Sequence, residues 1–216
     1  MDRREPARSV TRRSVLAAAC VAAASATLAS CAPRDAAAST EDPSEKRVQY
    51  GFWMDSRNCV GCASCVAACR QASGTPEDGE ARRKTVAYRF ERGGLRFVSL
   101  SCMHCAQPAC LAACPAGAIG KRADGIVVVD QGRCIGCRYC HEACPFGTPH
   151  YTPQGMDKCD CCLGAGVEPG REPYCVQACP ADALHFGELE EMRPQAEAAG
   201  ATGLLEAPTG PSFFLT

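Results

Sequence analysis

Cys134-Ile135-Gly136-Cys137-Arg138-Tyr139-Cys140-His141-Glu142-Ala143-Cys144-Pro145 is the stretch that decides how this chain folds. Three cysteines recur at every third position, a fourth follows after three more residues, and a proline closes the run. The segment from the third cysteine to the fourth is made of helix-compatible residues. Positions i and i+4 of a helix lie on similar faces, about 6 Å apart along its axis. Three thiolates on a curling loop can surround one small metal centre. A fourth thiolate displaced along a helix cannot reach that same centre, so it serves a second one. The group that encloses the second centre must return its own fourth cysteine. Pro145 stops the helix just past the last thiolate.

The pattern occurs four times. Its groups are Cys59, Cys62, Cys65 and Cys69; Cys102, Cys105, Cys110 and Cys114; Cys134, Cys137, Cys140 and Cys144; and Cys159, Cys162, Cys175 and Cys179. The first and third match C-x₂-C-x₂-C-x₃-C, the run that binds 4Fe–4S clusters in bacterial ferredoxins, where the fourth cysteine ligates the other cluster of a pair. The second group lengthens one gap, and the fourth opens a twelve-residue loop between its second and third cysteines. The third and fourth cysteines are four residues apart in every group. Pro115, Pro145 and Pro180 end three of the helices, whereas Arg70 follows Cys69, so the first helix is expected to run on. Structural zinc takes paired C-x₂-C knuckles with four ligands per metal, which this spacing does not supply. Disulfides between cysteines three apart would close cramped loops and give no reason for the Cys-Pro endings. The sequence therefore predicts four 4Fe–4S clusters on sixteen of its nineteen cysteines.

Composition agrees. Of 216 residues 46% are apolar, but only 6% are aromatic, so large side chains are too few for an ordinary core. The clusters must organise the interior. The net charge of −1 and the absence of a basic stripe exclude a nucleic-acid partner. Four thiolates around a 2+ cubane leave roughly −2 per cluster, so the loaded protein is acidic.

Short strands lie between the groups. The alternation around Asp124-Gly125 predicts a hairpin of 118–122 with 126–130, and Gly93-Gly94 predicts another of 84–90 with 95–100. Residues 48–54 and 183–186 read as single strands. The fold class is α+β: nested two-cluster ferredoxin-like modules of short hairpins and short cluster-binding helices. Residues 101–144 form an inserted inner module. Residues 48–100 and 145–190 form the outer one, and 191–216 a C-terminal tail. On this reading Cys59, Cys62, Cys65 and Cys179 hold cluster 1; Cys159, Cys162, Cys175 and Cys69 hold cluster 2; Cys134, Cys137, Cys140 and Cys114 hold cluster 3; Cys102, Cys105, Cys110 and Cys144 hold cluster 4. Spacing alone also allows a sequential pairing, first group with second and third with fourth.

Residues 1–30 read as an export signal. Arg12-Arg13, followed by a weakly apolar run, resembles the twin-arginine signal that carries folded proteins. That route suits clusters assembled in the cytoplasm. Leu28-Ala29-Ser30-Cys31 resembles a lipobox, with Cys31 lipidated. Residues 31–47 are rich in Ala, Ser, Pro and charge and read as a flexible tether. The expected location is the extracytoplasmic face of the cell membrane, with a lipid anchor. No stretch is apolar enough to span a bilayer.

Other residues stand beside the ligands. Cys161 falls between Cys159 and Cys162, where x₂ spacing favours its neighbours as ligands. His104 and His141 are read as packing over clusters or tuning them by hydrogen bonding. Arg70, Arg138 and Lys158 are candidates to balance cluster charge, against the plain reading of solvated surface. Trp53 is read as packing.

The chain resembles the iron–sulfur subunits of dimethyl sulfoxide reductases and related molybdopterin enzymes, from about Gln49 to Glu191. Tyr50-Gly51-Phe52, Ser101-Cys102-Met103-His104-Cys105, Lys121-Arg122-Ala123-Asp124-Gly125, Lys158-Cys159-Asp160 and Phe186-Gly187 carry the resemblance together with the opening stretch. It implies the nested pairing and a non-catalytic relay between a molybdopterin catalytic subunit and the quinone pool, through a quinol-oxidising membrane subunit or cytochrome. It also implies that the outer module faces the catalytic subunit. Two departures stand out: the chain's own export signal and its lipobox. A formate dehydrogenase or hydrogenase beta subunit, and a free-standing polyferredoxin, are the alternatives. No triad, P-loop or dinucleotide motif is present.

Overall fold

The fold was analysed in a computed structural model, which describes residues 48–90, 94–201 and 203–216. The twin-arginine pair, Cys31 and the tether lie outside the described residues.

Strand β1 (Tyr50–Met54) is the centre of a three-stranded sheet. It pairs antiparallel with β8 (Leu184–Glu188), placing Phe52 opposite Phe186, and parallel with β9 (Phe213–Leu215), placing Trp53 opposite Phe214. Alternation along β1 sends Phe52 and Met54 to one face, where they meet Leu184, Phe186 and Phe213. The Phe52 and Phe186 rings lie 5.1 Å apart. Burying each such side chain contributes about 1.5–3 kcal/mol. Trp53 faces the other way, against Leu189, Met192 and Phe214, and its indole N–H donates to Thr216 Oγ1 at 2.9 Å. Gly51 is required by close approach: a Cβ there would lie 2.3 Å from the Ser212 carbonyl oxygen.

Three hairpins surround this sheet: β2 (Lys84–Phe90) with β3 (Gly94–Leu100), β4 (Ile119–Lys121) with β5 (Val127–Val129), and β6 (His150–Thr152) with β7 (Gly155–Asp157). In the β4–β5 turn, Asp124 Oδ1 accepts from the Ile126 N–H at 3.1 Å, and Gly125 takes φ +81°. The Gln49 amide packs where a Cβ of residue 125 would stand. The first two hairpins fall where the sequence predicts them. The third, 150–152 with 155–157, was not predicted from the sequence.

Each cysteine group enters a helix at its third cysteine. These are α1 (Ser64–Ser73), α2 (Ala109–Ala112), α3 (Tyr139–Ala143) and α4 (Tyr174–Gln177). As expected, α1 runs past Cys69, ending at Gly74 in the left-handed conformation. The other three stop before their prolines.

Residues 191–216, expected as a C-terminal tail, are integrated into the fold. Helix α5 (Leu189–Ala198) buries Leu189, Met192 and Ala196, and β9 completes the central sheet. Phe213 and Phe214 are buried, and Ala106 and Gln107 donate to the carbonyls of Gly210 and Thr209. The run Phe213-Phe214-Leu215 is simply too apolar to remain outside a core this poor in aromatics.

Candidate metal centre

The helices decide which cysteines meet. α1 packs against α4, and α2 against α3. The first group is thereby joined to the fourth and the second to the third. The principal helix contacts do not follow the sequential pairing.

Cys59, Cys62, Cys65 and Cys179 line one recess of about 340 Å³ with Val60, Pro180 and Leu184. Cys114, Cys134, Cys137 and Cys140 line a second of about 320 Å³ with Ile135, Tyr151 and Met156. Cys69, Cys159 and Cys162 line a third of about 230 Å³. Cys175 completes that set, since Cys159, Cys162 and Cys175 are the thiols whose charge Cys69 feels. Cys102 and Cys144 act likewise on Cys110, and Cys144 on Cys105. The backbone thus gathers thiols of the first and fourth groups at two recesses and thiols of the second and third at another.

The donors fit an iron–sulfur cluster. Each set is all sulfur, the soft ligand that such clusters take. Burial pushes the Cys69 and Cys110 thiols up to about 12 and Cys162 up to about 11. Thiolates at these positions need metal cations beside them. Lys158 is buried, with Nζ donating to the carbonyls of Val127 and Cys159. It has no carboxylate partner among the described residues, and a buried cation calls for nearby negative charge.

Hydrogen bonds reach the sulfurs from the surrounding chain. Ala118 N–H donates to Cys114 Sγ and Ala183 N–H to Cys179 Sγ, both at 3.3 Å. The two bonds are equivalent, each from the fourth residue beyond a Cys-Pro cysteine. Met156 N–H donates to Cys134 Sγ at 3.4 Å. Ser64 Oγ lies 3.3 Å from Cys62 Sγ, and Tyr151 Oη 3.2 Å from Cys140 Sγ. Burial holds the Tyr151 phenol well above its usual range, so it stays a donor.

The residue before the second cysteine is left-handed in all four groups. It is Gly61 (φ +72°), His104 (+42°), Gly136 (+66°) and Cys161 (+56°). This reversal curls the loop around the centre. Glycine adopts it freely, whereas another residue costs roughly 1–2 kcal/mol. The two non-glycine cases touch each other. His104 Nδ1 accepts from the Val127 N–H at 3.0 Å, which leaves the proton on Nε2, 3.3 Å from Cys161 Sγ. Burial holds His104 below its usual pKa, hence neutral. His104, Cys159 and Cys161 present ligand atoms within 4.8 Å of one another. Cys159 is held well below the usual thiol range, chiefly by the Cys161 side chain and then, against burial, by His104. His141 instead bonds the Pro149 carbonyl through Nδ1 at 2.7 Å, and Arg138 stacks on Tyr151. Arg70 is half-buried, bonding the Pro76 carbonyl.

Sequence reading missed Ser99, Tyr151 and Arg83 beside the sulfurs. Nothing local marks them; each reaches a cysteine only through tertiary packing.

A family model described as a 4Fe-4S dicluster domain matches residues 94–189. Among curated relatives, the probable anaerobic dimethyl sulfoxide reductase subunit YnfG of Escherichia coli K12 is 43% identical over 160 residues, covering 67% of this chain and 76% of that protein. The thiosulfate reductase electron transfer subunit PhsB of Salmonella typhi is 40% identical over 154 residues, covering 68% and 80%. Protein NrfC of Escherichia coli K12 is 39% identical over 151 residues, covering 67% of each.

Proposed function

Because this chain belongs to the iron–sulfur electron-transfer subunits of the dimethyl sulfoxide reductase family, we propose that it relays electrons through four 4Fe–4S clusters between a molybdopterin catalytic subunit and the membrane quinone pool. The single observation that carries the proposal is the gathering of eleven cysteines at three recesses, beside two pairs of packed helices. A bound 4Fe–4S cluster supplies reversible one-electron transfer.

The chain's own residues set the order of the relay. α1 carries Cys65 of the first set and Cys69 of the second, and α4 carries Cys175, with Cys179 two residues past its end. Cys102 of the fourth set lies in the field of Cys159 of the second, which joins the two modules. α2 and α3 then link the fourth set to the third. The order is therefore cluster 1, 2, 4, 3. The second set is buried throughout, while Cys62 and Cys137 at the two ends are exposed. Val60 and Ile135 beside them are 66% and 69% exposed. Such a wire is insulated in its middle and open at its ends, which is what exchange with one partner at each end requires. With every set filled by cysteine, the chain offers substrate no open coordination position and acts without a catalytic site of its own.

Twin-arginine export and lipid attachment at Cys31 belong to the same proposal, supported by Arg12-Arg13 and Leu28-Ala29-Ser30-Cys31. They put the relay on the outer face of the cell membrane.

The test is anaerobic purification from native membranes in mild detergent. Molybdenum stoichiometric with the chain, and cluster reduction by a quinol analogue, are expected. A chain that purifies alone, with full iron and no molybdenum, would move the assignment to a free carrier.

A further inference from the structure

Arg83 is the most deeply buried charge among the described residues of the outer pair, 1% exposed. Its Nη1 donates to the Ser99 carbonyl at 3.3 Å and to Ser99 Oγ at 3.0 Å, and its Nη2 to Ser101 Oγ at 2.8 Å. Its guanidinium carbon lies 4.8 Å from the Phe52 ring centroid. Nε has no hydrogen-bond partner. Among the described residues no carboxylate pairs with it. Its neighbour Arg82 shows the contrast, bonded to Asp157 at 2.8 Å and Asp160 at 3.0 Å. An arginine cannot shed its charge. Buried and unpaired, it is strongly unfavourable unless negative charge stands close by.

Among the described residues the negative charge nearest to hand is that of the sulfur sets. Cys175, Cys159 and Cys69 of the second set and Cys65 of the first are the groups whose field Arg83 feels. It therefore stands between two centres rather than beside one. Ser99 extends its reach: Oγ accepts from Nη1, which leaves the hydroxyl proton free for Cys65 Sγ at 3.2 Å.

Building on the four-cluster reading, we propose that Arg83 is the fixed countercharge shared by clusters 1 and 2, raising the reduction potential of both. Each cluster gains one negative charge on reduction, and a fixed cation favours that state. Arg83 acts through the field and through Ser99, so it is a positioning residue of the relay. Because both clusters feel the same cation, it raises their potentials together rather than driving them apart.

The experiment is a redox titration followed by electron paramagnetic resonance on the anaerobic holoprotein, comparing wild type, Arg83→Gln and Arg83→Lys. Potential is independent of loading fraction, so partly loaded preparations still report it. Arg83→Gln is expected to lower two midpoint potentials of the four, those also altered by Cys59→Ser and Cys159→Ser. Arg83→Lys should restore them. Four unchanged potentials in Arg83→Gln, or an equal fall in all four, would overturn the proposal. If Arg83→Gln binds no iron, Arg83→Lys decides: iron retained supports the charge, and iron lost as well overturns it in favour of shape. A wild type lacking about sixteen iron per chain would overturn the four-cluster reading beneath it.

Discussion

His104 Nε2 lies 3.3 Å from Cys161 Sγ, joining two cysteine groups whose contacting residues are 57 positions apart. Both residues occupy the left-handed position that glycine holds in the other two groups. The backbone accepts that strain where the second and fourth groups meet. What the junction gains is a set of donors aimed at Cys159: the Cys161 amide at 3.4 Å, the Cys161 thiol and the His104 imidazole. Donors to a cluster sulfur favour the reduced state.

Cys161→Gly restores the residue found at this position in the first and third groups. It should leave all four clusters in place and lower the potential of cluster 2 by on the order of 60 mV, a tenfold change for one electron. Potentiometric titration reads the shift. Loss of about four iron atoms per chain instead would make Cys161 a ligand.

The pairing of groups has its own test. Cys69→Ser and Cys175→Ser sit on packed helices and should alter the same paramagnetic signal. Cys114→Ser and Cys140→Ser should share another. A signal altered by both Cys69→Ser and Cys105→Ser would instead indicate the sequential pairing.

Asp55 ties the end of β1 to the first cysteine loop. Its carboxylate accepts from Arg57 Nε at 2.9 Å, Arg57 Nη2 at 2.7 Å and the Arg57 N–H at 3.0 Å. The Arg57 hydrogen bond, opposed by burial, holds the carboxyl below its usual pKa. A depressed folded pKa stabilises above the unfolded value of about 3.9 and is lost as pH falls through the folded one. Asp55→Asn should therefore melt lower than wild type, by a margin that is flat from pH about 8 to about 5 and shrinks only below about 4. Anaerobic thermal unfolding across pH reads this; a margin that varies between pH about 8 and about 5 would show another group at work.

Membrane attachment should depend on a single sulfur. Cys31→Ser is expected to move the chain from the membrane to the soluble extracytoplasmic fraction when no partner holds it. Mass spectrometry of the mature wild-type N-terminus should find diacylglycerol on Cys31. An unmodified N-terminus would remove the anchor from the account.

The legible part of this protein is the part written locally. Cubane geometry fixes the separation of Cys59, Cys62 and Cys65, and helix rise fixes that of Cys65 and Cys69, so sequence spacing translates into site geometry. The Asp-Gly signal placed the β4–β5 turn for the same reason, whereas the helices before Pro115, Pro145 and Pro180 end earlier than expected, short of their fourth cysteines. What escaped is non-local. β9 is three residues long, and its reason to exist is β1, at the other end of the described chain. Arg82-Arg83 looks like surface charge in sequence, and only the packing of β2 and β3 under Phe52 separates the paired arginine from the buried one. Cys161 reads as a spare thiol until His104 arrives from another group.

The most direct test of the whole account is elemental: iron, acid-labile sulfide and zinc per chain, measured on protein purified without oxygen. Four cysteine sets in four cubanes predict about sixteen iron, about sixteen sulfide and negligible zinc. Zinc in place of iron, or iron near eight per chain, would contradict it.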